Sequence, residues 1–233
     1  MKKAVILWLC GLYVMGCASV PSVIKTSQLG TVGIMTITTT DKIGWYGENN
    51  NAGLLGNIAT KAVDEKTGET SSSLLPLTET TLRSTFASKK VNLIDAGVIQ
   101  NDSDYKKADE DAMSKAGGNI AGPGYRVINA NNGELAKKLA KNVNFKTGMT
   151  VFCDFTKMMG TGIGKNGTAN AGVTMILIMY DENGKNVGQR SYFGKSKGTF
   201  MVAGGIYKAE SLMGLFPEAI NDACAKLAAD LNE

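Results

Sequence analysis

Apolar and polar residues change period several times along this chain. Between Thr31 and Thr40, Val32 and Ile34 alternate with threonine and glycine. The alternation then slips by one residue at Met35 before resuming at Ile37. β-Branched residues in a two-residue period predict a strand, and the slip predicts a bulge within it. From Ser73 to Ser88, Leu75, Thr78, Leu82 and Phe86 recur at helical spacing. Ser72 or Ser73 is the expected cap, Pro76 fits the first turn, and Lys89 and Lys90 follow the end. Val91 to Ile94 reads as a second short strand, giving β-α-β in the first half. Asp102 to Ala116 is polar and reads as a solvated helix stopped by Gly117 and Gly118. Tyr125 to Ile128 reads as a short edge strand.

The second half is more regular. Asn132 caps a helix over Glu134–Asn142, with Leu135, Leu139 and Val143 on its apolar face. Thr150 to Thr156 is a strand with Val151, Cys153 and Phe155 on one face and Phe152 and Asp154 on the other. A glycine-rich stretch, Gly160 to Thr168, separates it from the apolar strand Val173–Tyr180. Asp181-Glu182-Asn183-Gly184-Lys185 is a hairpin turn, and Val187–Gly194 returns. These three strands form an antiparallel meander. Phe216, Ile220, Cys224, Leu227 and Leu231 make one stripe of a closing helix near Pro217–Leu231, whose start could lie as early as Tyr207. The fold class expected is α/β (α+β): a mixed sheet of about five strands, with helices packed against it.

The first residues follow a different rule. Lys2 and Lys3 precede an apolar run from Ala4 to Tyr13. That run is short of the roughly twenty residues a helical span needs, and it reads as a secretory signal. Val14-Met15-Gly16-Cys17 resembles the lipobox of bacterial lipoproteins. The resemblance implies cleavage before Cys17 and acylation of its sulfur. Ala18, rather than aspartate, then implies outer-membrane retention in a Gram-negative cell. The expected organisation is a signal peptide over 1–16, a lipidated tether over 17–28, and one domain over 29–233 carrying a loop insertion at 41–73. A tether of about ten residues keeps the start of the domain within roughly 35 Å of the bilayer. A partner is therefore expected at the membrane surface.

Composition narrows the chemistry. The chain carries 25 basic and 21 acidic residues, a net charge of +4. Loss of Lys2 and Lys3 with the signal brings the balance to +2, with no block of like charge, so neither nucleic acid nor a polybasic membrane patch is indicated. There is no histidine. Ser-His-Asp and Cys-His nucleophile activation and His-containing zinc sites are excluded. Of the four cysteines, Cys10 leaves with the signal and Cys17 takes lipid. Cys153 and Cys224 remain. They form either a disulfide or two buried thiols, and no metal site follows from two ligands alone.

Gly162-Ile-Gly-Lys-Asn-Gly167 spells GxGxxG, but a strand follows it where a dinucleotide site needs a helix N-terminus. The P-loop pattern fails at two positions, Met159 and Asn166. The carboxylates do not pair as a glycosidase requires: Asp154 stands alone in a strand, and Asp109-Glu110-Asp111 is a surface run. No cofactor and no enzymatic activity are expected.

The order of elements, with Leu135-Ala-Lys-Lys-Leu139 before a strand, the glycine-rich stretch and Asp181-x-x-Gly184-Lys185, resembles a group of envelope proteins. These are lipoproteins related to the curli-production transport component, the amino-terminal domain of the Tol translocation protein, and the penicillin-binding-protein activators. The helix Leu74–Phe86 followed by Val91-Asn-Leu-Ile94 fits the first half. The resemblance implies a role in envelope assembly, secretion or partner activation, and it carries over no catalytic residue. The function expected is a non-enzymatic, lipid-anchored periplasmic binding or assembly protein with an envelope protein partner, using the exposed segments Asp41–Ser73 and Gly160–Asn170. The alternative is a subunit of an oligomeric outer-membrane export channel of the curli-secretion type.

Overall fold

A computed structural model describes residues 24–46, 70–129, 131–163 and 165–232. Cys17, the signal and most of the 41–73 insertion lie outside these residues. In chain order the elements begin with β1 (Ile24–Lys25), α1 (Thr26–Leu29), β2 (Thr31–Thr40) and β3 (Gly44–Trp45). A 3-10 turn (Ser71–Leu74) leads into α2 (Leu75–Ser88), followed by β4 (Asn92–Leu93). Three short helices come next: α3 (Ala96–Asn101), α4 (Ser103–Lys107) and α5 (Ala112–Ala116). Then follow β5 (Asn119–Ala121), α6 (Gly133–Val143), β6 (Thr147–Ile163), β7 (Asn166–Asp181) and β8 (Asn186–Lys195). The chain closes with β9 (Phe200–Val202), α7 (Ala209–Met213), α8 (Phe216–Asp230) and β10 (Leu231–Asn232).

The fold class is a mixed α/β sheet with helices packed against it. The main sheet runs β4-β2-β6-β7-β8, with β3 added to β6, β5 to β2 and β9 to β7. β2 is parallel to β4 and β6, while β6, β7 and β8 form the expected antiparallel meander. The β2 register shifts between Ile34 and Thr36, at the slip in the hydrophobic pattern. That shift leaves Val32, Ile34 and Ile37 in one core cluster and Met35 in the other.

One sheet face is closed by α2 and α8. Leu75, Leu82 and Phe86 from α2 meet the full predicted stripe of α8, and Val151, Cys153 and Phe155 lie beneath them. The edge of Phe155 meets Phe216 with ring centroids 5.4 Å apart. α8 approaches β8 so closely that a Cβ on Gly194 would sit 2.0 Å from the Ala219 carbonyl oxygen. α8 also covers the edge strand. Lys226 Nζ donates to the Phe193 carbonyl at 2.6 Å, and Asp222 accepts from the Lys195 amide at 3.0 Å. Pairing of another strand along this part of β8 is thereby blocked. Among the described residues the other face is covered at one end, where α6, α3 and α4 bury Met35, Tyr105, Leu139, Phe145 and Tyr180.

Several sequence expectations change. The polar helix over Asp102–Ala116 is two short helices, because Asp102 and Asp111 each turn a side-chain oxygen onto backbone amides and start a new N-terminus. Asp95 does the same for α3. Tyr125–Ile128 is not a strand; its neighbour Asn119–Ala121 pairs with β2 instead. Tyr125, Val127 and Ile128 are nonetheless buried, so their apolar character reports packing rather than pairing. Neither Ser72 nor Ser73 caps α2: Leu74 occupies that position, and Ser73 donates to the Thr70 carbonyl. The closing helix begins at Phe216, and Tyr207 precedes the separate α7.

Candidate functional site

The glycine-rich stretch is an arm rather than a loop. β6 and β7 continue through it to Ile163 and Asn166 and stay paired to the tip. Gly162 and Gly167 face each other across the ribbon with φ of +130° and +139°. A Cβ on either would lie 1.9 Å from the opposite backbone, so only glycine fits this crossing. The GxGxxG spelling therefore records a tight ribbon, and no helix opens after it.

At 17 residues, β6 spans about 50 Å at the usual rise per residue. Its start is fixed near the beginning of the domain: Thr147 Oγ1 donates to the Leu29 carbonyl at 2.7 Å. β1 is held there too, because Ile24 and Lys25 pair in parallel with Leu231 and Asn232. β1 begins at residue 24, seven positions after Cys17. The arm tip lies at the opposite end of the sheet.

The tip is apolar and uncovered. Ile163 is 89% exposed, and Met201 and Ile206, on the adjoining β9 hairpin, are 72% and 71% exposed. Hydrogen bonds join the two tips: the Gly205 amide donates to the Lys165 carbonyl at 2.9 Å, and the Gly204 amide to the Asn166 side-chain Oδ1 at 2.6 Å. The base of the arm is rigid by contrast. Lys157 is almost fully buried, donates to the Tyr207 hydroxyl at 2.8 Å, and lies 5.5 Å from the Trp45 ring centroid and 5.1 Å from that of Tyr207. Aromatic faces of this kind stabilise a buried cation. Trp45 arrives on β3, paired beside Lys157, and Tyr46 continues onto the open sheet face against Phe193. The described part of the insertion therefore packs on the domain through Ile43 and Trp45, while Leu54, Leu55 and Ile58 lie outside the described residues.

The remaining candidates are placed as follows. Cys153 and Cys224 share the closed core as free, buried thiols, which is the second of the two sequence alternatives. Burial pushes the Cys224 thiol up to about 11 and the Cys153 thiol higher still. Asp154 is half-buried on the open face opposite Thr174, and loss of hydration raises its carboxyl above the ordinary aspartate range. No group of three or more metal-ligating side chains occurs among the described residues. No helix among them is long and apolar enough to cross a membrane.

A mixed α/β domain with a projecting two-stranded arm is thus what fold and site define. No protein-family model matches the chain, and no curated protein matches it. Among solved structures, the hypothetical protein CT253 from Chlamydia trachomatis is similar over 86% of this chain and 96% of its own, at 12% identity and a TM-score of 0.36. Lipoprotein GNA1162 from Neisseria meningitidis is similar over 84% and 99%, at 10% identity and a TM-score of 0.34. Likenesses this distant assign no function.

Proposed function

We propose that this chain is a non-enzymatic binding or assembly lipoprotein of the bacterial envelope, anchored in the outer membrane by acylated Cys17 and engaging an envelope protein through the tip of the β6–β7 arm. The anchor rests on the lipobox resemblance of Val14–Cys17 and on the apolar run before it. The binding role rests on one observation: exposed Ile163, Met201 and Ile206 lie on the arm tip and the β9 hairpin bonded to it, at the opposite end of β6 from Thr147. Exposed apolar groups clustered on a rigid projection mark an interaction surface more often than scattered ones do. The absence of histidine supports the non-enzymatic reading.

A photo-cross-linking residue at position 163 or 206 tests the arm in intact envelopes, with position 98 on the body as control; Val98 is 49% exposed. A discrete adduct from the tip and none from the body is expected. Equal labelling at both sites would refute the arm as the contact. Cys17→Ser tests the anchor: acyl labelling and outer-membrane fractionation should both be lost.

The projecting hairpin is also what favours the export-channel alternative. A membrane strand needs about nine to eleven residues with alternating apolar and polar character. The exposed run Met159–Ile163 is shorter and does not alternate. Size measurement of detergent-extracted protein separates the two, since a ring of many subunits is required only by the channel.

A further inference from the structure

A cavity of about 250 Å³ opens on the sheet face that α2 and α8 leave uncovered. Its floor is two rows of aligned side chains. Thr36, Thr150 and Ile178 lie side by side across β2, β6 and β7; Thr38, Phe152 and Ile176 form the next row. α5, β5 and β8 contribute Ser114, Asn119 and Gln189 to the lining. No acidic or basic side chain lines it. A charged ligand would lose its hydration there without gaining a counter-ion, so the occupant is neutral.

The polar groups restrict the class further. The Thr36 hydroxyl donates to the Arg126 carbonyl at 2.7 Å, and the Ser114 hydroxyl to Asp111 at 2.8 Å. The Thr38 hydroxyl donates to the Val151 carbonyl at 3.4 Å. Their protons are committed elsewhere, and each presents lone pairs to the cavity. Thr150 is only 4% exposed, and its hydroxyl, like the side-chain amides of Asn119 and Gln189, has no hydrogen bond among the described residues. The site therefore offers both hydroxyl acceptors and amide donors beside the hydrophobic surface of Phe152. A hydrocarbon would leave the Thr150 hydroxyl and both side-chain amides without partners, and a peptide bond supplies only a single donor and a single acceptor. A sugar ring supplies several hydroxyl donors and an apolar C–H face. The volume is below that of sites for drug-sized ligands and suits a single ring.

We infer that this cavity binds one uncharged saccharide unit, with Thr150 hydrogen-bonded to it and Phe152 beneath its ring. The inference is independent of the arm, which lies at another part of the sheet.

The test uses the mature chain carrying Cys17→Ser, followed by nuclear magnetic resonance during titration with glucose or N-acetylglucosamine at millimolar concentrations. Saturable shifts at Thr150 and at the Asn119 and Gln189 side-chain amides are expected. Thr150→Val should weaken binding about fivefold, Thr150→Ser should retain it, and Ile163→Ser should leave it unchanged. Protonated glucosamine should bind less well than its neutral N-acetyl form. Three results would overturn the inference: no saturable shift with either sugar, hexanol binding as tightly as the sugars, or no loss of affinity in a folded Thr150→Val chain.

Discussion

The two faces of the main sheet are built from alternate residues of the same strands, yet they have opposite characters. On one face Val151, Cys153 and Phe155 are almost wholly buried under α2 and α8. On the other, Phe152 and Asp154 are half-exposed, and Thr36, Thr38 and Thr150 border a cavity. Nothing in strand geometry distinguishes them, because both faces of a pleat are equivalent. The difference comes from what packs on each. The closed face receives an apolar helical stripe; the open face, among the described residues, receives short helices and irregular chain at the end where β6 starts. One face is therefore responsible for stability, and the other is left available for recognition.

The largest expected effect is at Gly194. In Gly194→Ala the added methyl meets the Ala219 carbonyl and the Ala223 amide, which are backbone and cannot turn aside. A loss of at least about 3 kcal/mol in urea unfolding is expected, whereas Ser191→Ala, exposed on the other face of the same strand, should change stability by less than about 0.5 kcal/mol. If both variants unfold alike, the asymmetry between faces is wrong.

Two phenylalanines on β6 give a sharper comparison. Phe155→Ala should cost about 3–5 kcal/mol, because it empties a packed site against Phe216. Phe152→Ala should cost less, about 1–2 kcal/mol, since that ring is only partly buried and borders a cavity. Thermal or urea unfolding of the pair decides the matter.

Asp154 yields a pH-dependent test. Burial raises its folded pKa, so the folded state holds the proton more tightly than the unfolded one. Its contribution is fully favourable below the ordinary aspartate range and is lost as pH rises through the raised folded value. Asp154→Asn should accordingly raise the Tm at neutral pH, with the gain disappearing in acid. An equal gain at every pH would show that charge is not the cause.

The smallest effect is expected at the thiols. Burial keeps Cys153 and Cys224 protonated at neutral pH, so thiol reagents should leave the native protein unlabelled and react with both cysteines only after unfolding. Rapid native labelling at either would mean that the closed face opens readily.

The strand Thr31–Thr40, its bulge, the α8 stripe and the meander were legible in the sequence because each rests on a local period. The partners of the polar segments were not. Asp102 and Asp111 look like any surface aspartates until the chain folds, and only then do they divide one expected helix into two. The cavity was illegible for a related reason. Thr36, Thr150, Ile178 and Gln189 come from four strands, and no spacing along the chain marks their alignment. For the arm, Gly162 and Gly167 were visible as glycines, but their direct opposition across a ribbon requires the register of β6 on β7.

By itself the sequence determined the repeating elements, the buried face of each, the lack of histidine chemistry and the lipobox resemblance at Cys17. These depend on side-chain type and short-range periodicity. Tertiary structure alone decided which sheet face would be closed, that the glycine-rich stretch would project as a paired arm, and that its tip would stand about 50 Å along the sheet from the start of β6. Each of those depends on pairing and packing between residues far apart in the chain, where local pattern carries no information.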